Sequence, residues 1–205
     1  FKKQSNKLTI TTNHHALSVG EDNLVSQAVR LLCQRAACPE NVMIHLEKRI
    51  PLGAGLGGGS SNAATTLTGM NHLFQLGLSH QELVALGAEL GSDVPFFLYG
   101  GTAIGRGRGE KIQPISGVPS AWVLLVNPGI HIASGWAYKN VNLKLTNSPA
   151  MINVFSNVER LVITAFPHVP LLNMLEEPVM QKYPVIRSIK AQLLDHGAEW
   201  AMMSG

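Results

Sequence analysis

Apolar residues in the first fifty positions recur with two different periods. A 3.6-residue period after position 23 predicts a helix, for which Asp22 or Asn23 is the candidate N-cap. The apolar face of this helix consists of Leu24, Val25, Ala28, Leu31 and Leu32. Residues 8–10 and 42–46 instead alternate between apolar and polar positions, which is typical of half-buried strands.

A glycine-rich segment follows the second of these strands and leads into two helices. From Pro51 to Ser61 the chain reads Pro-Leu-Gly-Ala-Gly-Leu-Gly-Gly-Gly-Ser-Ser. We expect the next helix to begin at Ser60 and Ser61, because a helical apolar face follows them. That face consists of Ala63, Leu67, Met70 and Phe74. A further helix is predicted from about Ser79 to Leu90, so the order is strand, glycine loop, helix, helix.

The second half of the chain has a less regular pattern. Residues 101–112 read as extended chain with tight turns, and the apolar run Trp122–Val126 predicts a short buried strand. Two more helices are predicted near Leu171–Lys182 and Pro184–His196. Strands and helices without regular alternation indicate an α+β fold, with a domain boundary near Ser116–Ser120.

Composition removes several classes of function. The 205 residues are 45% hydrophobic and 14% charged, a composition that excludes a disordered chain. No run approaches the roughly 18 apolar residues of a membrane span, so we expect no membrane partner. The net charge is only +3 and its cations are scattered, so we expect no nucleic-acid partner and favour a small anionic ligand. The oligomeric state is not readable from this pattern.

The two cysteines bear on location and metal binding. Cys33 and Cys38 have no second pair to complete a zinc site, so no protein-built metal site is expected. Their spacing favours two free thiols in a reducing compartment. Residues 1–10 contain no apolar core of a signal peptide. We therefore expect a cytoplasmic protein.

The glycine loop carries the clearest chemical signal. Five of the seven residues from Gly53 to Gly59 lack a Cβ, so successive backbone N–H groups can face one concavity. The unpaired N–H groups and positive end of the following helix favour a di- or triphosphate there. Ser60 or Ser61 could cap the helix or contact phosphate or Mg²⁺. A side chain at Gly57 or Gly58 is expected to block the concavity with little loss of fold.

Three familiar nucleotide-binding classes do not fit this loop. A Walker loop requires Lys where Gly59 stands. Gly53, Gly55 and Gly58 satisfy the dinucleotide pattern, but the acidic residue expected about 20 positions later is missing. Protein kinases require His-Arg-Asp and Asp-Phe-Gly motifs, which are absent from the sequence.

The loop does resemble the ATP-binding motif of the GHMP small-molecule kinases. Within them, Gly-Leu-Gly-Gly-Gly-Ser-Ser followed by Asn and two Ala is similar to the branch that phosphorylates 4-diphosphocytidyl-2-C-methyl-D-erythritol. Further matches are Asp22-Asn-Leu24, Gly91-Ser-Asp-Val-Pro-Phe96, Gly107-Arg-Gly-Glu110 and Asn127-Pro-Gly-Ile-His-Ile-Ala-Ser134. The resemblance covers nearly the whole chain and is least clear over residues 140–168.

This resemblance implies a two-domain fold that the chain covers in part. The expected domains are a ribosomal-protein-S5-like ATP-binding domain over residues 1–117 and a ferredoxin-like domain over residues 118–205, both partial. The segments that carry the catalytic Lys and hold the cytosine in such kinases are not in the sequence. Met203-Ser204-Gly205 resembles the opening of the third family motif. The expectation is therefore a chain truncated at both ends.

The resemblance also implies a reaction and a set of site residues. The reaction is ATP-dependent phosphorylation of the 2-hydroxyl of that cytidyl substrate in isoprenoid precursor synthesis, with ATP and Mg²⁺ as cofactors. Asp93 would orient or deprotonate the attacking hydroxyl, and Ser134 would lie near the substrate. The residues assigned to ATP are Pro51, Leu52, Gly53, Ala54, Gly55, Leu56, Gly57, Gly58, Gly59, Ser60 and Ser61.

Several alternatives stay open on the sequence alone. Asp93 could simply cap the turn that contains Pro95, and Ser134 could be an ordinary loop residue. Lys48 and Arg49 could contact the nucleotide or lie in solvent at the end of a strand. The whole protein could be another GHMP kinase, of homoserine or mevalonate type, or a nucleotide-binding relative without activity.

Overall fold

The computed structural model describes residues 1–4, 7–141 and 172–205, which fall into two compact units. The first unit consists of residues 1–52 and 57–114, and the second of residues 53–56 and 115–205. The predicted family domains, 1–117 and 118–205, stay a prediction. Among the described residues, no helix is both long enough and apolar enough to cross a membrane.

A three-stranded sheet forms one layer of the first unit. Its strands are β1 (Lys2–Lys3), β2 (Thr9–Thr12) and β3 (Val42–Leu46), in the order β1-β3-β2. β3 runs parallel to β2, with Ile10 opposite Ile44, and antiparallel to β1. The alternation predicted for β3 is confirmed, because Val42 and Ile44 are buried while Met43 is exposed.

Four helices accompany this sheet in the first unit: α1 (Leu24–Ala36), α2 (Gly58–Phe74), α3 (His80–Leu90) and α4 (Val94–Tyr99). Asn23 caps α1, as predicted, since its Oδ1 accepts a hydrogen bond of 2.9 Å from the Val25 N–H. Ser79 and Glu82 form a reciprocal capping box at the start of α3. Two of the predicted boundaries are thus set by side-chain caps.

The core of the first unit lies where these helices pack on one another and on the sheet. The side chains that are at most 2% exposed include Val25, Ala28, Val29, Leu32, Val42, Ile44, Ala63, Leu67, Met70 and Val94. Burial of a Leu or Met side chain stabilises a fold by about 1.5–3 kcal/mol. The predicted apolar face of α2 is confirmed at Ala63, Leu67 and Met70, while Phe74 is only partly buried. This core holds α2, and so the end of the glycine loop, in place.

The chain after α4 forms a second, two-stranded sheet from β4 (Thr102–Arg106) and β5 (Lys111–Ile115). The turn between them contains Gly107 and Gly109, both with positive φ. The extended chain with tight turns that the sequence predicts over residues 101–112 is confirmed.

The second unit contains helices α5 (Ser134–Asn140), α6 (Glu176–Lys182) and α7 (Pro184–Asp195) among its described residues. The two late helices are confirmed, although the first begins at Glu176 rather than near Leu171, which lies outside the described residues. The strand predicted over Trp122–Val126 is wrong: these residues form no strand and are exposed. An apolar run becomes a buried strand only where a neighbouring strand supplies backbone partners, and sequence periodicity does not test that condition.

Candidate functional site

The glycine loop ends where helix α2 begins. The helix starts at Gly58, two residues before the predicted start, and its N-cap residue is Gly57 with φ +62°. The first backbone bond that closes the turn runs from the Ser61 N–H to the Gly57 carbonyl over 2.9 Å. By helix geometry, the N–H groups of Gly58, Gly59 and Ser60 have no partner within the helix. A helix start does follow the glycine loop, and its first turn contains two glycines. That it binds an anion stays a prediction.

The capping role that the sequence allowed for Ser60 and Ser61 is wrong. Both residues lie inside the first turn of α2, whereas the cap position belongs to Gly57, which has no side chain. A cap must precede the first helical residue so that its side chain can reach back to the free N–H groups. The two hydroxyls are therefore available for other contacts at the helix start.

Gly57 is held closely by helix α4. A Cβ placed on Gly57 would lie 2.6 Å from Cε2 and Cζ of the Phe97 ring. Only glycine combines this approach with a left-handed backbone at low cost. The expectation that a side chain at this position would spare the fold is therefore wrong, because the packing of Phe97 depends on the missing Cβ.

Gly58 and Gly59 have different surroundings. A Cβ on Gly58 would lie 2.7 Å from Lys48 Nζ and 3.1 Å from Ile50 Cγ2. A Cβ on Gly59 would meet only Leu24 Cδ1, at 3.5 Å, an ordinary van der Waals distance. The Lys48 ammonium group therefore lies beside Gly58, the first residue of α2.

Lys48 and Arg49 follow β3 and differ in pairing and burial. The Arg49 guanidinium pairs with Glu47 at 2.7 Å, and both side chains are largely exposed. The Lys48 side chain is partly buried and has no ion pair among the described residues. Burial lowers the pKa of the Lys48 ammonium. Of the two cations that the sequence left open, Lys48 is the one beside the glycine loop.

The middle of the loop, Gly53–Leu56, belongs to the second unit. A Cβ on Gly53 would overlap the His131 ring, and a Cβ on Gly55 would overlap the backbone carbonyl of Ser204. The Ser204 hydroxyl donates a hydrogen bond of 2.9 Å to the Gly55 carbonyl. Glycine is therefore required at these two positions because the His131 ring and the Ser204 backbone approach them closely, whether or not a ligand is bound.

A polar network holds the chain around Ser204. Glu176 is only 9% exposed, its Oε1 accepts a hydrogen bond of 2.7 Å from the Met203 N–H, and its Oε2 pairs with Lys190 Nζ at 2.5 Å. Asn173 Nδ2 donates to the carbonyls of Met203 and Gly205, each at 2.9 Å. These residues were not among the candidates from the sequence. The available signal was a polar Asn173 between the apolar pairs Leu171-Leu172 and Met174-Leu175, followed directly by the acidic Glu176.

We expect Glu176→Gln to destabilise the second unit by about 1–3 kcal/mol. The neutral amide would leave the Lys190 ammonium, which Glu176 pairs with in a largely buried position, without its negative partner. Glu177→Gln is the matched control, since the Glu177 side chain is 64% exposed and its pair with Arg187 is long, at 3.4 Å. Thermal unfolding of both variants measures the difference. Equal melting temperatures would contradict a structural role for Glu176.

Asp93 occupies the N-cap position of α4 without acting as a cap. Its side chain makes no capping hydrogen bond, and the residue is exposed. It has no hydrogen bond or ion pair within the described parts of the chain. The alternative that Asp93 serves only as a cap is thus not supported. The free carboxylate is available to a ligand.

Asp93 lies beside the turn of the β4–β5 sheet. A Cβ on Gly109 would lie 3.9 Å from Asp93 Oδ1 and from the Ser92 carbonyl oxygen. The carboxylate of Glu110 accepts a hydrogen bond of 2.8 Å from the Arg108 N–H, and such backbone hydrogen bonds lower the pKa of Glu110. Arg106 and Arg108 are exposed.

Helix α4 begins directly after Asp93 and contains Phe97, the residue that lies beside the glycine loop. Phe97, whose ring fills the space beside Gly57, stands four residues after Asp93. Four residues span about 6 Å along a helix axis and return to the same face. The carboxylate is therefore placed about one turn away from the residue that contacts the loop.

Ser134 is the first residue of α5, and its side chain lies outside the described residues. Its role near a substrate stays a prediction. Where the structure is described, no three His, Cys, Asp or Glu side chains are grouped so that they could hold a metal ion.

Comparison with known proteins identifies relatives along nearly the whole chain. Residues 23–101 match the model of the GHMP kinases N terminal domain. The 4-diphosphocytidyl-2-C-methyl-D-erythritol kinase of Pelobacter propionicus is 42% identical over 98% of this chain and 70% of its own length. The enzyme of the same name from Geobacillus thermodenitrificans is 44% identical over 89% of this chain and 63% of its own length.

Solved structures agree with these relatives. A crystal structure of 4-(cytidine 5'-diphospho)-2C-methyl-D-erythritol kinase matches 98% of this chain and 70% of its own, with 30% identity and a TM-score of 0.70. Homoserine kinase from Cytophaga hutchinsonii matches 97% of this chain and 69% of its own, with a TM-score of 0.77 but 18% identity, which supports the fold alone. The α+β GHMP kinase fold expected from the sequence is confirmed, and the chain spans about 70% of the length of several of these proteins.

Proposed function

The chain belongs to the GHMP kinase family, and from this membership we propose that it forms the greater part of an ATP-dependent kinase acting on 4-diphosphocytidyl-2-C-methyl-D-erythritol. The acceptor would be the 2-hydroxyl, and the products the 2-phosphate and ADP. The observation in the structure that best supports this proposal is the start of α2, where free backbone N–H groups and the Lys48 ammonium meet at Gly58.

The phosphates of ATP would bind at this helix start. Backbone N–H groups of Gly58, Gly59 and Ser60 would donate hydrogen bonds to phosphate oxygens, and the positive end of the helix dipole adds to the attraction. The partly buried Lys48 would gain a charged partner that the described residues do not provide. The whole segment Pro51–Ser61 stays our assignment for ATP, with Gly57 and Gly58 at its centre.

Asp93 is the proposed catalytic residue. Its carboxylate is free of structural partners and lies about one helical turn from Phe97, which contacts the loop. A free carboxylate can accept a hydrogen bond from the attacking hydroxyl, orient its oxygen towards the γ-phosphorus and take up its proton. Ser134 stays a lower-ranked proposal for contact with the substrate.

Mg²⁺ fits the donors at the helix start. In nucleotide sites this ion is bound by substrate phosphates and by only one or two protein oxygens, so a dedicated cluster of ligands is not required. The hydroxyls of Ser60 and Ser61, which take no part in capping, are the proposed protein donors. When bound, the ion would neutralise negative charge on the phosphates.

The experiment that tests the proposed function is ADP release by a protein of the relatives' full length that carries this chain. We expect release with the cytidyl substrate and none above background with homoserine or mevalonate. Turnover of either alternative at a comparable rate would refute the substrate assignment. ATP binding without turnover of any acceptor would instead favour a nucleotide-binding relative without activity. A cytoplasmic location stays a prediction.

We expect Lys48→Met to weaken ATP binding by about tenfold or more, because a charged hydrogen bond to phosphate contributes about 1.5–3 kcal/mol. Arg49→Met is the matched control: it removes the adjacent cation, which pairs with Glu47 in solvent, and it should change the affinity by less than about twofold. Calorimetric titration of ATP into both variants measures this. Equal losses would mean that general positive charge, and not the placement of Lys48, attracts the nucleotide.

A further inference from the structure

The C-terminal end of helix α1 has a geometry that brings two side chains together. Ala37 adopts the left-handed conformation with φ +50°, and its N–H donates to the Cys33 carbonyl. The Cys38 N–H donates to the same carbonyl over 3.1 Å. The bond from Cys38, which reaches five residues back, is that of the Schellman motif, and the bond from Ala37 is that of the simpler αL motif. In the Schellman motif the side chains at the positions of Cys33 and Cys38 make contact. That contact is usually apolar, but here it joins two cysteines.

The two sulfur atoms already lie close to each other. Cys38 Sγ donates a hydrogen bond to Cys33 Sγ over 2.8 Å. A disulfide bond is about 2.05 Å long, so the sulfurs would have to approach by about 0.8 Å. The backbone hydrogen bonds at the helix end already hold residues 33 and 38 together. The sulfurs can therefore approach by movement of the side chains, without a change in the backbone conformation.

The environments of the two thiols differ. Cys33 is buried, with 5% exposure, and burial raises the pKa of its thiol far above the usual range. Cys38 is only partly buried and can be reached from solvent. An external reagent would therefore meet Cys38 first, and Cys33 would be protected until a reactive sulfur is formed beside it.

We propose that Cys33 and Cys38 form a reversible two-electron oxidation site, which reacts with a peroxide or a small disulfide to form an intramolecular disulfide bond. With a disulfide reagent, the Cys38 thiolate attacks one sulfur and releases one reagent thiolate. The Cys33 sulfur then attacks Cys38 and releases the second reagent thiolate, and the two protein protons pass to solvent. The two cysteines are thereby oxidised and one reagent molecule is reduced. With a peroxide, a sulfenic acid at Cys38 takes the place of the mixed disulfide, and water leaves.

The test uses the aromatic disulfide dithiobis(nitrobenzoate) on this chain, whose only cysteines are these two. We expect two coloured thiolates per protein molecule, no retained label, and a mass lower by about 2 Da, because two hydrogen atoms leave. Dithiothreitol should restore both the mass and the two free thiols. Hydrogen peroxide should give the same loss of mass.

Single replacements separate the two roles. Cys33→Ser should release one thiolate and retain the label on Cys38, because no second thiol can displace it. Cys38→Ser should react at least about tenfold more slowly, because Cys33 is buried. Labels retained on both cysteines of the unsubstituted protein, or disulfide-linked dimers on a non-reducing gel, would overturn the proposal. If Cys33→Ser does not fold, the mass and label count of the unsubstituted protein still decide it.

Discussion

Asp93→Asn is expected to lower turnover by about 10² to 10⁴, the usual contribution of a positioned general base. Asparagine keeps the size of the side chain but cannot take up the proton of the attacking hydroxyl. ATP affinity should stay nearly unchanged, since Asp93 is not one of the groups assigned to the phosphates. Single-turnover rates and ATP titration, in a protein of the relatives' full length that carries this chain, measure the two quantities.

The stability of Asp93 variants separates a catalytic role from a structural one. Because the carboxylate makes no capping hydrogen bond, both Asp93→Asn and Asp93→Ala should change the free energy of unfolding by less than about 0.5 kcal/mol. A functional cap would instead lose about 0.5–2 kcal/mol on replacement by Ala. Full activity of Asp93→Asn would remove this residue from the catalytic mechanism.

Gly57→Ala is expected to weaken ATP binding by at least about tenfold and also to destabilise the fold. A left-handed backbone costs a non-glycine residue about 1–2 kcal/mol. The new Cβ would in addition lie 2.6 Å from the Phe97 ring and force α4 or the loop to move. The loss of stability should therefore exceed the backbone cost alone. Thermal unfolding and ATP calorimetry measure the two effects.

Gly77→Ala is the matched control for this substitution. Gly77 has φ +70°, close to the value of Gly57, but a Cβ there would meet nothing within 4 Å. It should show the backbone cost of about 1–2 kcal/mol and leave ATP affinity unchanged. If the two variants lost equal stability, the contact between Gly57 and Phe97 would have no energetic weight. If ATP affinity survived in Gly57→Ala, the assignment of the loop would be wrong.

Elements with strong local signals were predictable from the sequence. The helix after Asn23 has an apolar face of period 3.6 and a polar cap, and both features depend on residues within one or two turns of each other. The strand Val42–Leu46 likewise shows its two faces directly through alternation. The run Trp122–Val126 gave no such information, because its structure depends on partners distant in sequence.

The candidate site was predictable in its chemistry and less so in its geometry. The density of glycine before an apolar helical face predicts a phosphate-binding helix start, which stays a prediction. The family resemblance is confirmed by relatives more than 40% identical. Which cation lies beside the loop was not predictable, because Lys48 and Arg49 are adjacent and chemically similar. Their different burial and pairing depend on the fold around them.

The sequence by itself determined the family, the order of the main elements over residues 8–90 and the position of the glycine loop, because these follow from local spacing and residue type. Tertiary structure alone decided that Asp93 is no cap, that Gly57 accommodates Phe97, and that Glu176 holds the chain around Ser204. It also decided that Cys33 and Cys38 touch, through the way helix α1 ends. Each of these depends on where separate segments or backbone turns place atoms within a few ångströms, which no period or motif specifies.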